Sequence, residues 1–103
     1  MRLHHATPAR NLAGILARGL LTRRSRGKRK VVWLAPVSLS SWCVLHVSAR
    51  HKVRVGQVIV LEVKIPRSWL KRHGRRLWYC DRDIPPSRII SATTFAAVAA
   101  TGD

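Results

Sequence analysis

The sequence predicts a small α+β domain with two main helices and mostly antiparallel strands. Three observations carry that expectation. Apolar residues alternate with period two over residues 57–65 and recur at helical spacing over residues 12–20. The two kinds of pattern then follow one another in the order β-α-β-α-β-β-β, which suits a mixed fold around one core. With 103 residues there is room for a single modest core, so one domain is expected over residues 1–95, with a small polar tail at 96–103 that frays.

Leu3 to Ala6 reads as the first strand, with Leu3 and His5 on one face and His4 on the other. Thr7 and Pro8 then have the composition of a helix start. Threonine can cap free amides, and proline at the first helical position has no N–H to leave unpaired. Leu12, Ile15, Leu16 and Leu20 form the apolar stripe of that helix, and Gly19 supplies its stop. Residues 23–30, RRSRGKRK, hold six positive charges in eight positions and read as a solvated loop, with a localisation signal or a phosphate-contacting loop as the functional alternatives. Val31 to Ala35 is a continuous apolar run, a buried strand.

Ser38 or Ser40 is expected to cap a second helix reaching about Arg50, with Leu39, Trp42, Cys43 and His46 on one face. The strand over 57–65 places Ile59, Leu61, Val63 and Ile65 on one side and Val58, Val60 and Glu62 on the other, so it should be central. Ser68 to Arg72 reads as a single turn with Trp69 and Leu70 inward. Arg76 to Cys80 is a further strand, Asp81 to Pro86 a turn, and Arg88 to about Phe95 the last strand.

Charge is the outstanding compositional fact. Twenty Lys and Arg against four acids give a net +16, a field that attracts polyanions. Nucleic acid, RNA or DNA, is the expected partner, because neutralising its phosphates releases counterions. Cys43 and Cys80 are too few for a disulfide framework and match no metal spacing, so free thiols in a reducing compartment are expected. Met1 to His5 has no apolar leader and no stretch reaches the ~20 residues of a membrane span, so a soluble cytoplasmic protein without a membrane partner is expected. Four acids leave little scope for paired-carboxylate catalysis or a divalent-metal cage. His46 reads as a core or boundary residue; His4, His51 and His73 read as exposed.

The segments HAT (5–7), NLAGILARGLL (11–21), VVWLAP (31–36), VIVLEVKIP (58–66) and DIPPSRI (83–89) stand in an order that resembles the ADP-ribosyltransferase superfamily. Within it they are most similar to the catalytic lobe of RNA 2′-phosphotransferases. The resemblance covers residues 2–95 and implies a split mixed or antiparallel sheet that binds NAD in a cleft. It implies that His5 bonds a ribose hydroxyl, that the backbone of Ala6 (glycine in the family) holds the nicotinamide amide, and that Thr7 and Trp33 complete the cofactor site. Trp33 stands where relatives carry tyrosine or histidine, and its indole can stack on nicotinamide. Arg10 and Arg76 are the catalytic candidates, since a guanidinium fork grips phosphate bidentately.

Two departures qualify that site. Ala35 replaces a common serine, and Arg76 or Leu77 stands where polymerase-like relatives carry a glutamate, which argues against chain-elongating chemistry. The activity implied is NAD-dependent ADP-ribosyl transfer to a nucleic-acid group, an RNA 2′-phosphate in the phosphotransferase version. The alternative is a non-catalytic, basic nucleic-acid-binding module on the same scaffold.

Overall fold

The computed structural model describes residues 1–25 and 27–94. Two helices and two antiparallel three-stranded sheets make up the domain. The first sheet has the order β1-β3-β6, with β1 at Arg2–Pro8, β3 at Val58–Lys64 and β6 at Ile89–Thr94. The second has the order β2-β5-β4, with β2 at Val32–Leu34, β4 at Leu70–His73 and β5 at Leu77–Cys80. Helix α1 spans Leu12–Arg18 and α2 spans Ser40–His51.

β3 is central, as its two apolar faces require. Leu3, Ile59, Leu61, Val63 and Ile65 look onto the main core, together with Leu34, Leu70, Cys80 and Ile84. Val58 and Val60 look the other way and close a smaller core with Val44 of α2, to which Ala6 and Val47 add. The register sets His5 opposite Leu61 and Thr7 opposite Ile59. His5 therefore shares the main-core face with Leu3, as the alternation predicts, and His4 faces α2.

Several local expectations are corrected. Thr7 and Pro8 are the last residues of β1, paired with Ile59 and Val58, because the ladder to β3 outcompetes a helix start there. Thr7 is no cap: it is buried, and its Oγ1 accepts a hydrogen bond from Asn11 Nδ2 at 3.2 Å. A 3-10 turn at Ala9–Asn11 intervenes before α1. Leu16, expected in the buried stripe, is exposed, while Leu12 and Ile15 pack on the core. Ser40 is the first residue of α2 and bonds His4 instead of capping the helix. His46 is exposed, and His4 and His51 are half-buried.

Residues 68–72 are more than a turn. After a 3-10 turn at Arg67–Trp69 the chain enters β4, which pairs with β5 from Leu70↔Cys80 to His73↔Leu77. The basic loop is exposed at Arg23, Arg24, Lys28, Arg29 and Lys30, as expected. It is also tied down: Lys30 Nζ donates to the Ser25 carbonyl at 2.7 Å, and just before the loop Thr22 N–H and Oγ1 both donate to Asp83. Cys80 is buried, Cys43 half-buried, and both are free thiols. Among the described residues no helix is long and apolar enough to cross a membrane. Phe95 and the expected tail at 96–103 lie outside the described residues.

Candidate functional site

The two sheets meet at one point. His4 N–H donates to the Ala35 carbonyl at 2.7 Å and Ala35 N–H to the His4 carbonyl at 2.9 Å, just past the end of β2. In an antiparallel ladder the next such pair would join Ala6 to Trp33. There the strands part. The Trp33 carbonyl takes its hydrogen bond from His5 Nδ1, at 2.7 Å, so a side chain stands where the backbone ladder stops. Alternation along β1 turns the N–H and C=O of Ala6 toward the same edge as those of His4, facing the gap.

From this split a cleft of about 710 Å3 opens. Its walls come from β1, α1, the basic loop, β2 and α2, because α1 and α2 flank the strand pair that diverges. His5, Ala6, Thr7, Arg10 and Trp33 all line it, and so do Arg18, Arg24 and Arg50. Among the described residues no carboxylate lines the cleft: Glu62 faces Arg2 at 3.6 Å, Asp81 holds Lys71 at 2.8 Å, and Asp83 binds Thr22. Such a lining favours an anionic ligand.

Arg76 is the one candidate the structure does not bring to the site. It lies exposed in the turn between β4 and β5, whereas its neighbour Leu77 reaches the cleft. The strand begins one residue later than the spacing predicts, so the side chain that turns inward there is apolar. Arg18, Arg24 and Arg50 supply the charge instead. Trp42 and His46 on α2 stack with ring centroids 5.3 Å apart at 11°, and with Arg50 they form an i, i+4, i+8 stripe along the cleft wall. That spacing was readable as one helix face, although nothing in the sequence said which cavity the face would meet.

Trp33 is half-buried. Its ring meets His73 edge-on at 4.9 Å and Tyr79 at 5.5 Å, so the indole is braced by the β4–β5 hairpin rather than sunk in the core. Ala35 is buried at the foot of the cleft and offers a methyl where a serine would offer a hydroxyl.

The chain matches no protein-family model and no curated protein. Function must therefore be argued from the chemistry of the cleft.

A carbonyl oxygen only accepts, so His5 Nδ1 carries the proton and Nε2 is the acceptor of the neutral ring. Burial holds the His5 pKa below the ordinary histidine value, and the bond to Trp33 opposes that shift only in part. His4 is also lowered, by burial first, with the Glu62 carboxylate pulling the other way. Both folded values lie below the unfolded value of 6.5, so the unfolded chain takes up protons first as pH falls. Stability is expected to decline from that pH downward, the loss completing below the depressed folded values. A melting series from about pH 8 to about pH 5 checks this, with a His4→Gln/His5→Gln double variant as reference. A parent chain whose midpoint tracked pH no more steeply than the double variant would refute it.

Proposed function

We propose that the protein is an NAD-dependent ADP-ribosyltransferase acting on an anionic nucleic-acid group, with an RNA 2′-phosphate as the first acceptor to test. One observation carries the reading: at the split between β1 and β2, the backbone N–H and C=O of Ala6 face a cationic cleft beside His5. A donor and an acceptor on one strand edge match a primary carboxamide, the group that nicotinamide presents. The cleft volume of about 710 Å3 lies within the usual range for pockets that enclose a cofactor or drug-sized ligand. Two antiparallel three-stranded sheets with two helices, parting between β1 and β2, support the reading without being specific to it.

NAD would supply an ADP-ribosyl group with nicotinamide as leaving group. The protein's own residues then have three tasks. Ala6 fixes the carboxamide, His5 Nε2 accepts from a ribose hydroxyl, and the Trp33 indole, braced by Tyr79 and His73, bounds the nicotinamide pocket. Arg10, Arg18, Arg24 and Arg50 neutralise the phosphates of both reactants, which brings an anionic nucleophile close without mutual repulsion. The absence of a carboxylate in the cleft, among the described residues, suits a nucleophile that arrives already ionised.

A second reading has its own support. The methyl of Ala35 and the lack of a cleft carboxylate also fit a scaffold that binds nucleic acid without reacting. Incubation with labelled NAD and a panel of 2′-phosphorylated RNA, plain RNA, DNA and protein separates the two. Nicotinamide release with label transfer, greatest for 2′-phosphorylated RNA, is expected. Tight nucleic-acid binding without release for any acceptor would leave the binding module instead.

A further inference from the structure

We propose that four guanidiniums, those of Arg67, Arg72, Arg82 and Arg88, form a docking surface for the phosphate backbone of a nucleic acid, held in place by two tryptophans. Arg67 and Arg72 lie 5.7 and 4.9 Å from the Trp78 ring centroid. Arg82 and Arg88 lie 4.8 and 5.2 Å from that of Trp69. Both indoles are half-buried and packed against the main core, so each is a fixed plate carrying two charges.

The two plates belong to one surface. Arg67 and Trp69 share a single 3-10 turn, which runs directly into β4. Arg72 of β4 is the cross-strand partner of Trp78 in β5, and the pair Leu70↔Cys80 brings the end of β5, hence Arg82, beside Trp69. None of these residues lines the cleft.

Why would arginines gather on tryptophans here? Covering an indole from water needs one aliphatic stem, not two full positive charges per ring. Close guanidiniums repel one another, and nearby carboxylates would relieve that repulsion. Among the described residues only Arg82 has carboxylates beside it, and these are shared: Asp81 holds Lys71 and Asp83 binds Thr22, while Glu62 faces Arg2. Arg72 gives one N–H to the Arg75 carbonyl and keeps the others. Aromatic contact limits rotamer freedom before any ligand arrives, so less ordering remains to be done on binding. The remaining N–H donors match phosphate oxygens in bidentate geometry. Of the large exposed apolar side chains, Leu16, Val37, Trp42 and Leu45 lie on other elements, and only the isolated Met1 and Ile90 border the row, so no contiguous apolar patch accompanies the charges.

The inference shares with the proposed function only the nucleic-acid partner and needs no NAD, so each can fail alone. The test compares two variants of equal net charge. One replaces the row (Arg67→Gln, Arg72→Gln, Arg82→Gln, Arg88→Gln). The other removes four charges that belong neither to the row nor to any wall of the cleft (Arg2→Gln, Lys52→Gln, Arg54→Gln, Lys64→Gln). Each is titrated with single-stranded RNA over a salt series, with polyglutamate and anionic lipid vesicles as comparison ligands and thermal melting to verify folding. Loss of four phosphate contacts should make the slope of log K against log salt shallower by about 3, with the control changing by less than about 1. Equal slope changes in the two variants would overturn the proposal, as would polyglutamate or vesicles binding as tightly as RNA. Should the row variant fail to fold, the pairs Arg67→Gln/Arg72→Gln and Arg82→Gln/Arg88→Gln each carry half the expected change.

Discussion

Gly19→Ala is expected to lower the thermal midpoint by about 10–20 °C, from a loss near 3 kcal/mol at the usual conversion for a domain of this size. Gly19 has φ 87° and ψ −171°, a region that residues with a Cβ rarely enter. Its N–H closes α1 on the Ile15 carbonyl at 2.7 Å. An added methyl would run into the Ile84 carbonyl oxygen, and that oxygen accepts from Leu20 N–H at 2.9 Å. The reciprocal bond, Ile84 N–H to the Leu20 carbonyl, is also 2.9 Å. One methyl thus strains a backbone torsion and pushes apart the bridge that joins the end of α1 to the segment before β6. Leu20 and Ile84 are both buried, so no water replaces the lost bonds cheaply. Gly14→Ala, in the interior of α1 with open space around it, is the matched control and should be neutral or stabilising. Equal midpoints for the two variants would contradict the backbone described here.

The elements that were legible in the sequence share a physical cause, which is burial with a definite period. β3 was readable because both its faces are apolar, and α1 because Leu12, Ile15 and Leu20 meet the core and Gly19 must turn. β4 was not readable. Apart from Leu70 it is Lys71, Arg72 and His73, three exposed cationic or polar side chains with no alternation to read. Its strand geometry comes from hairpin pairing with β5 across the short turn 74–76, where Gly74 at φ 67° is the only local signal, and not from any pattern of its own side chains. Thr7-Pro8 failed for a different reason: a strong local start signal lost to a ladder with residues about fifty positions away, which no local window contains.

The candidate site divides along the same line. His5, Ala6 and Trp33 fall together because the bridge His4↔Ala35 sets the edges of β1 and β2 side by side; the sequence order of the elements was readable, whereas that bridge was not. The cationic lining was not. Arg10, Arg18, Arg24 and Arg50 reach the cleft from the turn before α1, its last residue, the basic loop and α2. Nothing local distinguishes them from the other sixteen basic residues among twenty. Only the closing of two helices, the turn before α1 and the basic loop over the split strands selects them, and it leaves Arg76 outside.

His5→Ala is expected to weaken NAD binding by about 10- to 100-fold, the range for losing hydrogen bonds worth roughly 1–3 kcal/mol in a half-buried site. The loss has two parts. Nδ1–H anchors the ring to the Trp33 carbonyl, and that anchor fixes which nitrogen is left as acceptor at the cleft. Burial keeps the ring neutral near pH 7, so Nε2 stays an acceptor rather than becoming a second donor, as the proposed bond from a ribose hydroxyl requires. His5→Asn separates the parts, since its amide can replace one polar contact but not hold both ends of the imidazole. His5→Phe keeps ring volume without either nitrogen and should bind no better than alanine. The readout is the NAD-induced rise in melting temperature for the four proteins, measured at a pH above the histidine range and again below it. The response of the parent should fall at the lower pH to that of the phenylalanine variant, whose small response does not change with pH. A parent response equal to that of His5→Phe at the higher pH would mean that the imidazole only braces β1 against β2, and the cleft would then need another ligand.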